Sequence, residues 1–583
     1  YHRTINARML VIALSSSGGP VQVAGRLSAD GSAGRGGQVA ITAATQASLA
    51  AGARVTASGT QGGGSVSLSG SESVTLESGS LLQASGASGG TIAVGADLGS
   101  VNVDGTIEAT GSAADGGAIR VNALNDITLG DMSLLTARGS RGGTVYIEAR
   151  QGTNLASGAI DASGSDDAGG KIRLLAPRVG LIRKASLDVS GRTGGGEALI
   201  GGDYQGSNPE IQNAERTYVG PEARITADAI ETGDGGKVIV WANNDTRFYG
   251  SASAKGGTRS GNGGFIEISG KEYLFYRGTV NASAPFGNAG TVLFDPTDIN
   301  IIATGTPTPA TPNDGGAVTT VFQEGGTPNA TSEILDSDIA TILNAGTNVR
   351  INTTSSASAP NNGTITLKSG ANITTNVSVN DVTLRLNAEQ DIIAENAVTI
   401  DASGATKKLN LIFNADSNNN GTGRIDFQGT SANPISFITN GGDITLGGRD
   451  ATLTGTVTGV ATGGSTSTTN VGVQLANTTL NAGTGAVSIK GQGGSDAGGI
   501  NHGVKLDTSS ITAGSISITG TGGSTGGNNY GVDLISGVTT PTTISGSSAI
   551  SIIGQGGTAA TAGAPIGVRI NGGSNAGVVI SAS

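Results

Sequence analysis

The sequence predicts an all-β chain wound as a right-handed parallel β-helix of about 26–27 residues per coil. Glycine doublets recur at a nearly constant interval, alternating aliphatic pairs follow each doublet, and a second aliphatic ladder lies part-way to the next. The doublets end at Gly37, Gly64, Gly90, Gly117, Gly143, Gly170 and Gly196, so successive intervals differ by no more than a single position. A metre this regular marks a solenoid, because each repeat must present the same groups at the same height to its neighbour.

After each doublet, aliphatic residues occupy the second and fourth places: Val39 and Ile41, Val66 and Leu68, Ile92 and Val94, Ile119 and Val121, Val145 and Ile147, Ile172 and Leu174. That alternation is the period of a half-buried strand. The residues between them, such as Ser67, Arg120, Tyr146 and Arg173, follow no chemical rule and are read as an outward face. The second ladder begins some two-thirds of the way to the next doublet, as in Val55/Ala57/Gly59, Leu82/Ala84/Gly86 and Ile160/Ala162/Gly164, and its alanines predict a narrow corner. A weaker strand between the two ladders, at Val74/Leu76, Val101/Val103 and Ile127/Leu129, completes three strands per coil.

One such coil cannot fold alone. Burying about six aliphatic side chains at roughly 1.5–3 kcal/mol each does not offset ordering some 26 residues at about 1–2 kcal/mol apiece. Stability therefore has to come from stacking like side chains over like ones. The doublet glycines are expected to supply the positive φ of sharp corners.

Composition narrows the function classes. The 583 residues include 100 Gly but only 14 Pro, with no Gly-X-Y period, so collagen is excluded. Charged residues make up 13% and the net charge is −11 with no basic stripe, so nucleic acid is not an expected partner. There is no cysteine, hence no disulfide framework and no thiolate metal site. The longest apolar run, Met9 to Leu14, is too short to span a bilayer.

Five regions are expected. Residues 1–194 form regular coils. Residues 195–302 continue the helix with an inserted loop, since the chain from Gly195 to Asp234 is half as long again as a regular coil. Residues 303–348 hold an excursion with Pro307, Pro309, Pro312 and Pro328, then a short helix at Ser337–Gly346. Residues 349–460 return to strands. Residues 461–583 carry an irregular repeat anchored at Gly472-Val473, Gly503-Val504, Gly531-Val532 and Gly567-Val568, with GQGG, GTGG and GQGG turns at 491, 520 and 554. Neither end offers a capping helix or charged strand, so open terminal coils are expected.

Within the second region four stretches carry a family resemblance: GGDYQG at 201–206, GGKVIVWANNDTRFYG at 235–250, GGFIEISGKEYLFYRGTV at 263–280 and LFDPTDINI at 293–301. They resemble the filamentous haemagglutinin family of two-partner-secretion exoproteins. The resemblance implies a secreted or surface-exposed adhesive rod of a Gram-negative bacterium, carried across the outer membrane by a dedicated β-barrel transporter. In that family the transporter reads an N-terminal module with Asn-Pro-Asn turns, which this stretch does not contain. Surface glycans, receptors on host or neighbouring cells, and self-association into fibres are the further partners it implies.

Catalytic material is sparse. His2 and His502 are the only histidines and stand in segments expected to be weakly ordered, so no His-centred triad is expected. Parallel β-helices also host polysaccharide lyases and hydrolases built on clustered carboxylates. Asp166-Asp167 and Asp295 with Asp298 are the candidates, although both pairs sit where turns are expected. The Gly-Gly-x-Gly-x-Asp nonapeptide of calcium-filled β-rolls does not recur. Neither a cofactor nor a metal is expected, and the chain is read as non-enzymatic.

Nine of the 18 aromatic residues fall between Trp241 and Phe294: Trp241, Phe248, Tyr249, Phe265, Tyr273, Phe275, Tyr276, Phe286 and Phe294. An outward strip of them, Trp241 to Tyr276, would stack on sugar rings. Packing beneath the inserted loop is the alternative and the favoured reading.

Overall fold

The computed structural model describes residues 10–305, 322, 331–355, 362–466, 470–497, 499, 501–527, 529–558 and 565–582. They group into two compact units. The first runs to Lys271 and includes Tyr276–Val292, and the second includes Glu272–Phe275 and the strands from Ile299 onwards. The fold is an all-β solenoid of parallel strands, a parallel β-helix.

In the first unit every coil supplies one strand to each of three parallel sheets. The coil after Gly143 is representative, with Thr144–Ala149, Thr153–Ala156 and Ala159–Asp161. The doublet ladder stacks in register: Val39 over Val66, Ile92, Ile119, Val145 and Ile172. Val145 and Ile147 are 0% exposed. Leu82, Ile107, Leu135 and Ile160 form the matching column of the third sheet and are equally buried, as are the alanines two places on. Beyond them Asp161, Asp188 and Asn281 each accept a hydrogen bond from the backbone N–H two residues ahead, at 2.9, 2.8 and 2.9 Å, which turns the chain towards the next doublet.

The doublet glycines correct an expectation. None of the seven regular doublets has a positive φ. Their requirement is close approach: a Cβ on Gly143 would stand 2.1 Å from the carbonyl oxygen of Gly117 in the preceding coil, and one on Gly170 would stand 2.0 Å from that of Gly143. Positive φ occurs instead at the opposite corner, at Gly52 (78°) and Gly79 (77°), where nothing crowds the Cα.

In the second unit the same logic persists with a looser metre. Val473, Val504, Val532 and Val568 stack in register at the Gly-Val anchors, and the chain between them forms strands of the neighbouring sheet. Phe413, Phe427 and Phe437 fill its interior with ring centroids 5.1–5.7 Å apart. The short helix is α1, Asp336–Asn344. It starts one residue before the expected Ser337, with Leu335 at the N-cap position making no side-chain cap bond, and Asp336 accepts hydrogen bonds from the N–H groups of Ser337 and Asn372 at 2.6 Å each. Pro307, Pro309, Pro312 and Pro328 lie outside the described residues.

The first and last described coils have open edges. Leu10 is 47% and Val11 53% exposed. Ile580, which stacks over the fully buried Ile544, is 43% exposed, and Ile570, over the buried Leu534, is 58% exposed.

Candidate functional site

In the first unit the outward face of the first sheet changes character along the coils. One outward column reads Ala40, Ser67, Ala93, Arg120, Tyr146, Arg173, Leu199, Ile239 and Glu267. Where it is charged, Arg120 lies 4.7 Å over the Tyr146 ring. Burial pushes the Tyr146 hydroxyl up to about 12, with Glu148 adding to the shift. Where it turns apolar, the chain no longer leaves it to solvent. Residues 201–215, inserted between Glu197–Ile200 and Arg216–Val219, fold back over Leu199, Ile239 and Trp241.

The strap is cut to fit the indole. A Cβ on Gly202 would lie 2.7 Å from Trp241 Cδ1, and one on Gly206 would lie 2.6 Å from Cε2 and Nε1. Gly206 itself takes φ 57° and Gln205 takes φ 52°. This strained turn is held from below by the fully buried Glu267, whose carboxylate accepts the Gln205 N–H at 3.1–3.2 Å. From the side, Asp203 accepts hydrogen bonds from Lys237 Nζ at 2.7 Å, the Tyr204 N–H at 2.7 Å and Asn208 Nδ2 at 3.0 Å. Asn213 Nδ2 donates to Gly206 O at 2.8 Å. The GGDYQG stretch is therefore a clamp over Trp241.

Of the two readings of the aromatic segment, packing rather than an outward strip describes it. Trp241, Phe248, Tyr249, Phe275 and Tyr276 are buried, and only Phe265 and Tyr273 are half-buried. Phe248 and Tyr276 point inward because their strands continue the interior column of Val219; their rings stack at 5.7 Å and 5°. Tyr249 packs at 5.8 Å against Tyr218, and Phe265 meets Tyr204 edge-on at 5.7 Å. Phe294 is fully buried, while Phe286, at 65% exposure, stands clear of the others. No continuous outward strip forms from Trp241 to Tyr276.

Trp241 is the only tryptophan, so its emission reports on the strap. Burial alone would raise the Asp203 carboxyl, but the hydrogen bonds from Asn208, Lys237 and the Tyr204 amide outweigh it and bring the value down to about 2. A depressed carboxylate stabilises the fold above its unfolded value and loses that contribution as pH falls through the folded one. Emission should thus hold steady down to about pH 4 and shift to the red as pH falls towards about 2. In Asp203→Asn that step should vanish. Separately, Trp241→Ala should speed hydrogen exchange in residues 201–215 by tenfold or more, about 1.4 kcal/mol of local protection, with the coils before Gly170 unchanged.

Three of the four candidate carboxylates are engaged across coils. Asp167 accepts from Arg141 Nε at 3.0 Å and Thr193 Oγ1 at 2.8 Å, and Asp166 lies 3.8 Å from Arg192. Asp298 accepts the N–H groups of Thr364 and Asn362 at 2.6 and 3.1 Å, and burial raises its carboxyl against those bonds. Asp295 is 6% exposed. His2 lies outside the described residues.

His502 corrects the expectation of weak order. It is 4% exposed, stacks on Tyr530 at 4.8 Å, accepts the Tyr530 N–H at Nδ1 and lies 3.2 Å from Asp533 through Nε2. Asp533 is fully buried and accepts hydrogen bonds from Arg569 Nε and Nη2 at 2.7 Å each. The cluster joins successive Gly-Val coils. Its members hold equivalent places in three repeats: His502 and Tyr530 immediately precede their Gly-Val anchors, and Asp533 and Arg569 immediately follow theirs.

A second covered face lies in the other unit, where residues 449–460 return over Arg385, Asn387 and Asn414. Arg385 bonds Asp450 and the carbonyl of Gly455, and Asn414 exchanges hydrogen bonds with the Asp450 backbone at 3.0 Å each way. Among the described residues no group of three or more His, Cys, Asp or Glu side chains is placed to hold a metal ion. No described helix is long and apolar enough to cross a membrane.

No family model matches the chain, and no curated protein matches it. Among solved structures, the HMW1 secretion domain from Haemophilus influenzae aligns over 49% of this chain and 96% of its own length, at 17% identity and a TM-score of 0.25.

Proposed function

We propose that the chain is a non-catalytic, secreted or cell-surface structural and adhesive solenoid of the filamentous haemagglutinin type, exported through an outer-membrane transporter. The observation that carries this reading is the division of labour within each coil. The inward column stays aliphatic from Val39 to Ile172 while the outward one passes through alanine, serine, arginine and tyrosine with no change in register. Stability is thereby uncoupled from surface chemistry, which is what a display scaffold requires. The GGDYQG to LFDPTDINI resemblance supports the family reading, and the engagement of Asp166 and Asp167 with side chains of neighbouring coils and of Asp298 with backbone N–H groups supports a non-catalytic role.

Protease treatment of intact source cells tests it. Peptides from this chain should be released without lysis, and deleting the gene should lower attachment of the cells to surfaces or to one another. Recovery of the chain only after lysis, with attachment unchanged, would refute the proposal.

A further inference from the structure

The second unit contains a groove of about 380 Å³ that the scaffold reading leaves unexplained. Four successive coils contribute to its lining: Thr462-Gly463-Gly464-Ser465, Gln492-Gly493-Gly494-Ser495, Thr521, Gly522 and Ser524, and Gln555-Gly556-Gly557-Thr558. Coil stacking accounts for the glycines. A Cβ on Gly493 would lie 2.2 Å from Asn501 O, and one on Gly494 would lie 1.8 Å from Gly464 O.

Stacking does not account for the residues on either side of them. Gln492, Gln555, Thr521, Ser465, Ser495, Ser524 and Thr558 line the groove, and their side chains make no hydrogen bond to the described protein. The result is a floor of bare backbone between amide and hydroxyl groups that are free to bond something else.

The chemistry of the groove selects its occupant. Arg449 is its one charged lining residue among the described residues, and its guanidinium is committed to Asp416 at 2.9 Å and Thr462 Oγ1 at 2.8 Å, which leaves no free charge there to recruit an anion. The floor's backbone is committed as well: Gly463, Gly493 and Gly522 donate to Gln492, Thr521 and Gln555 of the next coil at 2.8–2.9 Å. No sheet edge is therefore open to an added peptide strand. Adjacent coils repeat at about 4.8 Å, close to the advance of one pyranose along an extended glycan. Each sugar can thus meet the same set of donors and acceptors as the last.

We infer that this groove binds an extended, uncharged polysaccharide strand lying across the coils, with Gln492 and Gln555 as its principal hydrogen-bonding residues. The inference deepens the adhesive reading by naming a ligand class and a place for it. It does not depend on where the protein resides.

The test is a printed array of neutral oligosaccharides two to eight sugars long, beside anionic sugars of the same lengths, probed with the purified full chain. At least one neutral series should bind, gain affinity up to four or five sugars, and then level off. Gln492→Ala/Gln555→Ala should weaken that binding tenfold or more with the thermal melt unchanged. If that pair alters the melt, Ser495→Ala/Ser524→Ala serves in its place with the same expectation. Absence of binding to every neutral series, binding confined to anionic sugars, or binding indifferent to both variants would overturn the inference. None of these results would alter the outcome of protease treatment on cells.

Discussion

Val145→Asp should destabilise the first unit by about 3–5 kcal/mol, whereas Tyr146→Asp, one residue along, should change stability by less than about 0.5 kcal/mol. Val145 is fully buried between Ile119 and Ile172, so an aspartate there has neither water nor a partner. Tyr146 stands on the outward face between Arg120 and Arg173, and an aspartate there gains two cationic neighbours in place of a ring contact. Urea unfolding of both variants checks the contrast. Equal losses would mean that the strand register is wrong by one residue, since a single slip exchanges the two faces.

The second large effect concerns the doublets. Gly143→Ala should cost about 3 kcal/mol or more, because its Cβ would sit 2.1 Å from Gly117 O and 2.8 Å from Ala137 O, both backbone atoms that cannot rotate away. Gly25→Ala, with nothing within 4 Å of the added carbon and no positive φ, should be nearly neutral. If glycine mattered at the doublets only for backbone freedom, the two substitutions would have similar small effects. Thermal melts of the pair separate these explanations.

The contrast between Gly143 and Gly25 also shows what can be read in the residues alone. The regular metre and the alternation after each doublet are enough to place Val39, Val66 and Ile92 inside and Ser67 and Arg120 outside, because burial of a stacked column leaves a period of two. The reason for the glycines is not legible: a tight corner and a close approach of coils ask for the same residue. Nor is the fate of the aromatic segment. Trp241 does occupy an outward place in its strand, but whether an outward side chain meets water depends on a loop returning over it, and the contact from Gln205 to Glu267 joins distant parts of the sequence with no periodic trace. The order around His502 escapes the sequence for a related reason. Its partners Tyr530, Asp533 and Arg569 flank the next two Gly-Val anchors, so their alignment is legible, but that these flanking side chains are covered and bond one another across coils is not.

The central claim is that each coil of the first unit advances the chain by one strand spacing along a common axis. The chain has no cysteine, so paired spin labels can be placed without background. Labels at Arg173 paired in turn with Ala93, Ser67 and Ala40 lie three, four and five coils apart in one outward column. Pulsed electron paramagnetic resonance should return distances of about 14, 19 and 24 Å, rising by about 4.8 Å per coil. Distances that do not rise from pair to pair, or that rise by an increment unrelated to a strand spacing, would contradict the stacked β-helix.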